Sequence, residues 1–517
     1  MANQTLFATL QGTLLPKANA VNSENAPAYA LSPMHALAQY AATGCFSRTF
    51  YADAQEQLDK VLELCAAVEP EFIARVAIYA RERAYLKDAP ALLCAVLSVR
   101  APKLHEAVFP RVIDHARMLR TYVQILRSGV VGRKSLGSAP KRLVREWLER
   151  QNDAALFAAS AGQSPSLADI VKMVHPQPAT PARESFYGYL LGRPHDGAAL
   201  PPLVRDFERF KLGEEIAVPD VPFAMLTALP LSEADWAEIA ARAPWQTTRM
   251  NLNTFARHGV FERPEMVSLI ASRLRDPKAI ARARVFPYQL LAAYLMAGSD
   301  VPLEIRDALQ DAMELATANV PAVPGKIYVC PDVSGSMRSP ITGHRKGATT
   351  AVRCVDVAAL VTSALVRKNP SAEVIPFEQD LVRVDVNPRD SIMTNAERLA
   401  SVGGGGTNCS APLYWLNRRQ AKGDLVIYVS DNESWVDAGR GLGTALLAQW
   451  NAFRGRNPKA RLVCIDLQPN HTTQAVERHD VLNVGGFSDQ VFEIVAAFAA
   501  GELHPNHWVG LLNAIEL

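Results

Sequence analysis

The chain has 517 residues and a formal net charge of +2, with 49% hydrophobic and 21% charged residues, an ordinary globular composition that calls for more than one core. No apolar run is long enough to span a bilayer, and the opening Met1-Ala-Asn-Gln-Thr-Leu lacks a basic stretch leading into an apolar one, so no secretory leader and no membrane partner are expected. Seven cysteines without C-x-x-C spacing, with Cys45, Cys65 and Cys94 in apolar helical surroundings, and eleven histidines without metal-ligand spacing argue against a disulfide framework or a zinc site. They fit a reducing cytoplasm.

Residues from about 30 to 320 read as helices following one another. Phe72, Val76, Tyr79 and Ala80 fall at the spacing of a helix with one buried face. Ser166-Leu-Ala-Asp169 and Ser232-Glu-Ala-Asp235 are capping boxes that open helices. Prolines punctuate the intervals, and no strand-like alternation of useful length appears before Ile327. This pattern suggests a helical-hairpin solenoid, although no clean period is present. Pro321-Ala-Val-Pro-Gly325 is the natural linker. Beyond it the rhythm changes to alternation. Strands are expected at Ile327–Cys330, Ala372–Pro376, Leu425–Ser430 and Arg461–Leu467, and helices around Val355–Arg367, Asn395–Ser401, Gly443–Arg454 and Gln490–Ala499. Continuous apolar strands separated by helices argue for a parallel sheet covered on both faces. The expected domains are therefore 1–320, helical; 326–501, α/β and doubly wound; and a tail, 502–517, packing back on the helical part.

Asp332-Val-Ser-Gly-Ser336 follows the first of these strands, Thr407 ends the run Gly403 to Gly406, and Asp431 ends the strand Leu425–Ser430. Asp332, Ser334, Ser336, Thr407 and Asp431 offer three hydroxyls and two carboxylates, hard oxygen donors suited to a divalent cation such as Mg²⁺. In an open parallel sheet, loops at the carboxyl ends of strands converge on one crevice, so these distant residues can meet. The five positions resemble the metal-ion-dependent adhesion site of von Willebrand factor A domains, which implies an open coordination position that takes an acidic group from a partner.

Charge is unevenly spread. Between Arg100 and Arg150 stand twelve basic and only four acidic residues, the footprint of a phosphate-binding surface or of a solvated basic face, with the two readings evenly matched on this feature alone. The densest part runs from Val131 to Arg142 and holds Arg133, Lys134, Lys141 and Arg142, with Arg145 one turn further on. Lys172 and His175 close a second helix, where the histidine could meet a phosphate or a base, or simply cap the helix. Arg249, Arg257 and His258 lie on a third helix whose Leu252 and Phe255 face inward.

Taken together, the Leu126-to-Lys134 segment, the basic helix Lys141 to Arg150, Leu167-Ala-Asp-Ile-Val-Lys-Met-Val-His-Pro176, Arg249-Met-Asn-Leu-Asn-Thr-Phe-Ala-Arg-His-Gly259 and Asp332 to Ser336 resemble the Ro/TROVE family, in particular its bacterial members. The resemblance spans essentially the whole chain. It implies an all-α, HEAT-like helical-repeat ring followed by a Rossmann-like von Willebrand factor A domain. It also implies a non-catalytic, monomeric RNA-binding protein within a ribonucleoprotein. Y-like small RNAs would bind the outer basic surface and single-stranded 3′ ends of misfolded or immature RNAs the central hole. A 3′ exoribonuclease such as polynucleotide phosphorylase is implied as a further partner, for RNA quality control. On this analogy Arg133, Lys134, Lys141, Arg142, Arg145, Lys172, His175, Arg249, Arg257 and His258 are RNA-contact candidates. The nearly uncharged stretch Gln151 to Ala161 departs from the animal relatives, which carry basic residues there.

Two other functions compete. A metal-dependent protein-interaction scaffold without RNA would use the same metal site but has no need of the basic window. A metal-dependent hydrolase lacks an evident general base, since Glu433 is the one nearby acid. It also lacks a nucleophile elbow and the lysine of a P-loop.

Overall fold

In a computed structural model the described residues are 15–44, 48–49, 51–162, 164–214, 216–283, 285, 287–317, 320, 322–344, 351–437, 443–503 and 507–517. Cys45 and Pro321 lie outside them; the other six cysteines are buried. In chain order the elements used below are strands β1 (Ala20–Val21) and β2 (Pro27–Ala30) and helix α1 (Pro33–Thr43). Helices α2 (Ala116–Ser128), α3 (Ser138–Arg150), α4 (Leu167–Val174), α5 (Glu233–Arg242) and α6 (Leu252–Arg257) follow. Then come β3 (Ile327–Pro331), α7 (Cys354–Lys368), β4 (Glu373–Val374), α8 (Ile392–Ala400), α9 (Ala411–Arg418) and β5 (Leu425–Ser430). The chain closes with α10 (Ala445–Arg456), β6 (Arg461–Asp466), β7 (Thr472–Thr473), β8 (Val481–Gly485), α11 (Asp489–Ala500) and α12 (His507–Asn513). No helix among the described residues is long and apolar enough to cross a membrane.

The chain divides into two compact units, 1–72 with 284–296 and 309–516, and 73–283 with 297–308. The first holds a five-stranded sheet of order β4-β3-β5-β6-β8, every neighbouring pair parallel. Its central strands are apolar and buried along their whole length, as a sheet covered on both faces requires. Helix α7 is buried almost end to end and packs on β3, β5 and α8, which explains why its apolar residues show little one-sided pattern. From β3 the chain goes to β4 on one side and later to β5 on the other. The crevice between the carboxyl ends of β3 and β5 is therefore the topological switch point where such sheets bind ligands.

Several elements differ from expectation. Strands do occur before Ile327: β1 pairs antiparallel with β2, and β2 pairs with β7, Tyr29 opposite Thr473. Strands of two and four residues are too short to display alternation, so nothing in the sequence flagged them. The edge strand β4 is shorter than expected, although Ile375 N–H and Phe377 N–H still donate to Val329 and Pro331 carbonyls at 2.8 and 3.1 Å. Helix α9 and strands β7 and β8 were not foreseen. The closing helix α12 packs on α1 and β8, its Trp508 buried and edge-on to His35. His35 sits in the same interior. Its Nε2 lies 2.9 Å from the Asn483 carbonyl oxygen, so that nitrogen carries the proton. Nδ1 comes within 4.0 Å of Glu477, which would suggest an ion pair. Burial, however, lowers His35 to about 4 and raises Glu477 to about 8, so near neutral pH the two meet uncharged.

The second unit is a succession of helices with capped ends. Ser166 and Ser232 both form the expected capping boxes, with Asp169 and Asp235. Within it His105 is buried, its Nε2 2.8 Å from the Tyr122 hydroxyl and its ring stacked on the phenol. Burial holds His105 at about 4, with Glu106 opposing and Arg133 reinforcing the shift. The ordinary histidine value is about 6.5. A folded value below the unfolded one means that stability is complete above about 6.5 and is lost as the pH falls toward 4. We expect up to about 1.4 kcal/mol lost per pH unit from this one proton. Thermal unfolding of wild type and His105→Gln across that range should show a flatter pH dependence in the variant.

Candidate metal centre and nucleic-acid surface

All five oxygen-bearing residues of the expected metal set come to the switch-point crevice, and all are buried. Asp332 leaves β3 and its carboxylate is fixed on both oxygens. Oδ1 accepts the Ser334 N–H at 2.8 Å and Oδ2 the Ser430 hydroxyl at 2.6 Å. The resulting tight turn brings the Ser334 and Ser336 hydroxyl oxygens to 3.3 Å of each other. Thr407 is delivered by the glycine run, which packs backbone to backbone on the first segment: Gly335 N–H donates to the Gly405 carbonyl at 2.8 Å. Asp431 follows β5 and is turned by Asn432, which adopts a left-handed conformation.

The charges are unbalanced. Asp431 is buried and its Oδ1 has no hydrogen-bond partner. Burial, then the charge of Asp332, pushes Asp431 up to about 7, with Ser336 opposing. Asp332 is likewise raised by burial, against the hydrogen bonds from Ser334 and Ser430. Two buried carboxylates, an orphaned carboxylate oxygen and a ring of hydroxyls form a donor set that a hard divalent cation would satisfy. The residues present thus fit Mg²⁺, with Asp332, Ser334, Ser336, Thr407 and Asp431 as the side chains able to hold it.

Three contributors escaped the sequence. Ser430 anchors Asp332, Glu378 accepts the Gly405 N–H at 2.7 Å and steadies the glycine run, and the Tyr51 hydroxyl reaches the Ser336 side chain. Ser430 carried a signal, a hydroxyl at the end of an apolar strand. Tyr51, nearly three hundred residues upstream in sequence, carried none. Glu433 is buried, accepts the Ser23 N–H at 2.8 Å, and is pushed up to about 8 by burial and then by the charge of Asp431.

Gly403 makes this packing possible. Its φ is +79°, and a Cβ there would stand 2.2 Å from the Val333 carbonyl oxygen, a backbone atom that cannot step aside cheaply. Gly403→Ala is expected to cost roughly 2–4 kcal/mol of stability. It should also weaken Mg²⁺ binding more than tenfold by displacing Thr407, a loss of the size seen when supporting groups of metal sites are removed. Thermal unfolding with and without Mg²⁺ separates the two effects.

The expected RNA contacts lie on the helical unit, and the structure sorts them. Lys134, Arg142, Lys172, His175 and Arg257 are exposed, while Arg133, Lys141, Arg145, Arg249 and His258 are partly covered. Arg142 is already engaged, 2.7 Å from Glu106 and 2.8 Å from Glu146. The guanidinium of Arg145 donates to the Val174 carbonyl, tying α3 to the end of α4. Arg133 donates to the Leu136 carbonyl at 3.3 Å, and Arg249 to Gln246 at 3.1 Å. His175 ends α4 in a left-handed conformation, its N–H bonded to the Val171 carbonyl, so it does act as the cap. His258 stacks on Trp236 of α5 at 4.1 Å and 9°. Lys134, Lys141 and Lys172 pair with no carboxylate among the described residues. The basic window is therefore partly the balanced face that was the alternative reading, and partly the uncommitted lysines Lys134 and Lys141; Lys172 on α4 is a further one outside the window.

Residues 326–499 match the family model described as the Ro60 vWA domain. The chain is 27% identical to the protein named RNA-binding protein RO60 of Deinococcus radiodurans over 92% of this chain and 94% of that one. It is 24% identical to the RNA-binding protein RO60 of Caenorhabditis elegans over 46% of this chain and 37% of that one. Its fold matches the crystal structure of the Deinococcus radiodurans RO (RSR) protein with a TM-score of 0.61, at 24% identity, covering 91% of this chain and all of that one.

Proposed function

We propose that this chain is a Ro protein of the bacterial type, helical first and with a vWA domain after it, and a non-catalytic RNA-binding protein that holds structured small RNAs and single-stranded RNA ends. The observation that carries this reading is the near full-length similarity to a protein named as RNA-binding. The uncommitted lysines of the helical unit support it. Their contacts are to phosphate, so affinity falls steeply with salt, and unpaired ends are favoured by accessibility of strand and base. Asp332, Ser334, Ser336, Thr407 and Asp431, past the ends of β3 and β5 and the glycine run, would hold Mg²⁺, which would attract an acidic group of a partner. The ion would supply Lewis-acid attraction, with no bond breaking. Handing bound RNA to a 3′ exoribonuclease, within a cytoplasmic ribonucleoprotein that contains one copy of this chain, completes the proposal.

The test is filter binding of the purified chain to a hairpin RNA with a single-stranded 3′ extension and to the blunt hairpin, over a salt series. We expect the extended RNA to bind more tightly and log affinity to fall linearly with log salt. No binding to either RNA in dilute buffer would reject the RNA role and leave the scaffold reading. Shortening of the RNA with Mg²⁺ present would reject the non-catalytic role.

A further inference from the structure

The rim of the metal site carries an apolar patch that the binding of a cation does not explain. Trp435 and Val436 are among the large apolar side chains that stay exposed, at 45% and 40%. They are not on a loose loop. Both backbone N–H groups donate to the carbonyl oxygen of Thr407, each at 3.0 Å. Thr407 is itself a member of the oxygen set, so the backbone that carries the indole and the isopropyl group is tied directly to that set. The Ser434 hydroxyl donates to Asp437 Oδ1 at 2.6 Å and accepts the Cys409 N–H at 2.9 Å, and Ser410 N–H donates to Asp437 Oδ2 at 3.1 Å. Both side chains also lie over Gly406, where a Cβ would stand 2.7 Å from each. The patch is thus pre-organised, and little ordering would be lost when something covers it. Exposed large apolar groups beside a polar site are a common mark of an interface. The other end of the glycine run, at Gly403 and Gly404, meets Arg338, exposed, whose guanidinium donates to the Gly403 carbonyl at 2.8 Å.

We propose that this rim selects the partner of the metal site: a protein segment that presents a carboxylate to the cation and a large apolar side chain, next to it in sequence, to Trp435 and Val436. The inference rests on the reading of Asp332, Ser334, Ser336, Thr407 and Asp431 as a metal site. Charge complementarity fixes the acidic half, because the divalent cation and Arg338 both attract an anion. The aliphatic Val436 beside the indole favours an aliphatic side chain in the other half. Val436, beside the indole, offers a base no flat face to stack on.

The experiment uses the full chain. Mg²⁺ is first titrated by calorimetry. Two acetylated probes are then added with Mg²⁺ present, Gly-Ser-Glu-Leu-Ser-Gly and the same peptide with Ser in place of Leu. The indole resonance of Trp435, assigned through Trp435→Phe, is followed by NMR. The expected result is that the Leu peptide moves this resonance and binds about fivefold to tenfold more tightly than the Ser peptide, the effect of partly burying one aliphatic side chain. Both Trp435→Ala and the milder Val436→Ser should shrink that preference while Mg²⁺ affinity stays within twofold. Equal binding of the two peptides, or an unmoved Trp435 resonance while they bind, would overturn the inference. Movement of Trp435 by oligouridylate with the Leu peptide inert would overturn it in favour of RNA. A silent Mg²⁺ titration would instead strike the underlying metal reading, and the rim proposal with it.

Discussion

Asp332→Ala is expected to weaken Mg²⁺ binding by more than about 100-fold, since even groups that merely support metal ligands typically cost 10–100-fold when removed. Asp332 is the better anchored of the two carboxylates, held by Ser334 N–H and the Ser430 hydroxyl. Two opposing changes govern the metal-free protein. Losing the carboxylate leaves those two donors without an acceptor, at about 1–3 kcal/mol for a buried group. It also removes the charge that helps to raise Asp431, which relieves repulsion between buried like charges. The metal-free variant should therefore unfold close to wild type, whereas stabilisation by added Mg²⁺ should disappear. Calorimetric titration together with thermal unfolding checks both parts. Retained Mg²⁺ binding in the variant would exclude Asp332 as a ligand.

The second large effect concerns RNA. Changing Lys134, Lys141 and Lys172 together to alanine is expected to lower affinity for RNA roughly 100-fold at low salt. The slope of log affinity against log salt should fall by about 2 to 3, close to one unit for each phosphate that no longer meets a cation. Arg142→Ala is the control. Its guanidinium is committed to Glu106 and Glu146, and its removal should change affinity no more than about twofold, as befits an exposed pair. If Arg142→Ala proves as damaging as the triple change, the ranking of cations by their partners is wrong.

These two cases mark what could be read in the sequence and what could not. That Asp332 and Asp431 would meet was legible because each stands just past an apolar strand, and parallel sheets gather such ends at one place. The strands Leu425–Ser430 and Arg461–Asp466 were legible because each has an uninterrupted apolar run, Leu425 to Val429 and Leu462 to Ile465, buried in the sheet. β7 and β8 were not, because β7 has two residues and β8 contains Asn483, whose amide is satisfied only by the folded surroundings, through the Ala475 carbonyl and Glu477. The excess of positive charge between Arg100 and Arg150 was likewise visible. Which of those cations remain available was not, since Arg142 finds Glu106 on a different helix. Tyr51 shows the limit most plainly: a lone tyrosine gives no hint that it will arrive beside Ser336.

The union of the first strands with a late one bears on how the chain comes off the ribosome. Tyr29 lines up with Thr473, and the Gln39 amide donates to the buried carboxyl of Asp466, so neither can find its mate until more than four hundred further residues have been made. Contacts this remote form slowly, and strand edges awaiting them are prone to aggregate. A fragment that begins at β3 would inherit the same deficit for good: the carboxyl of Asp466 would lose the amide bonded to it, and β7 the strand it pairs with.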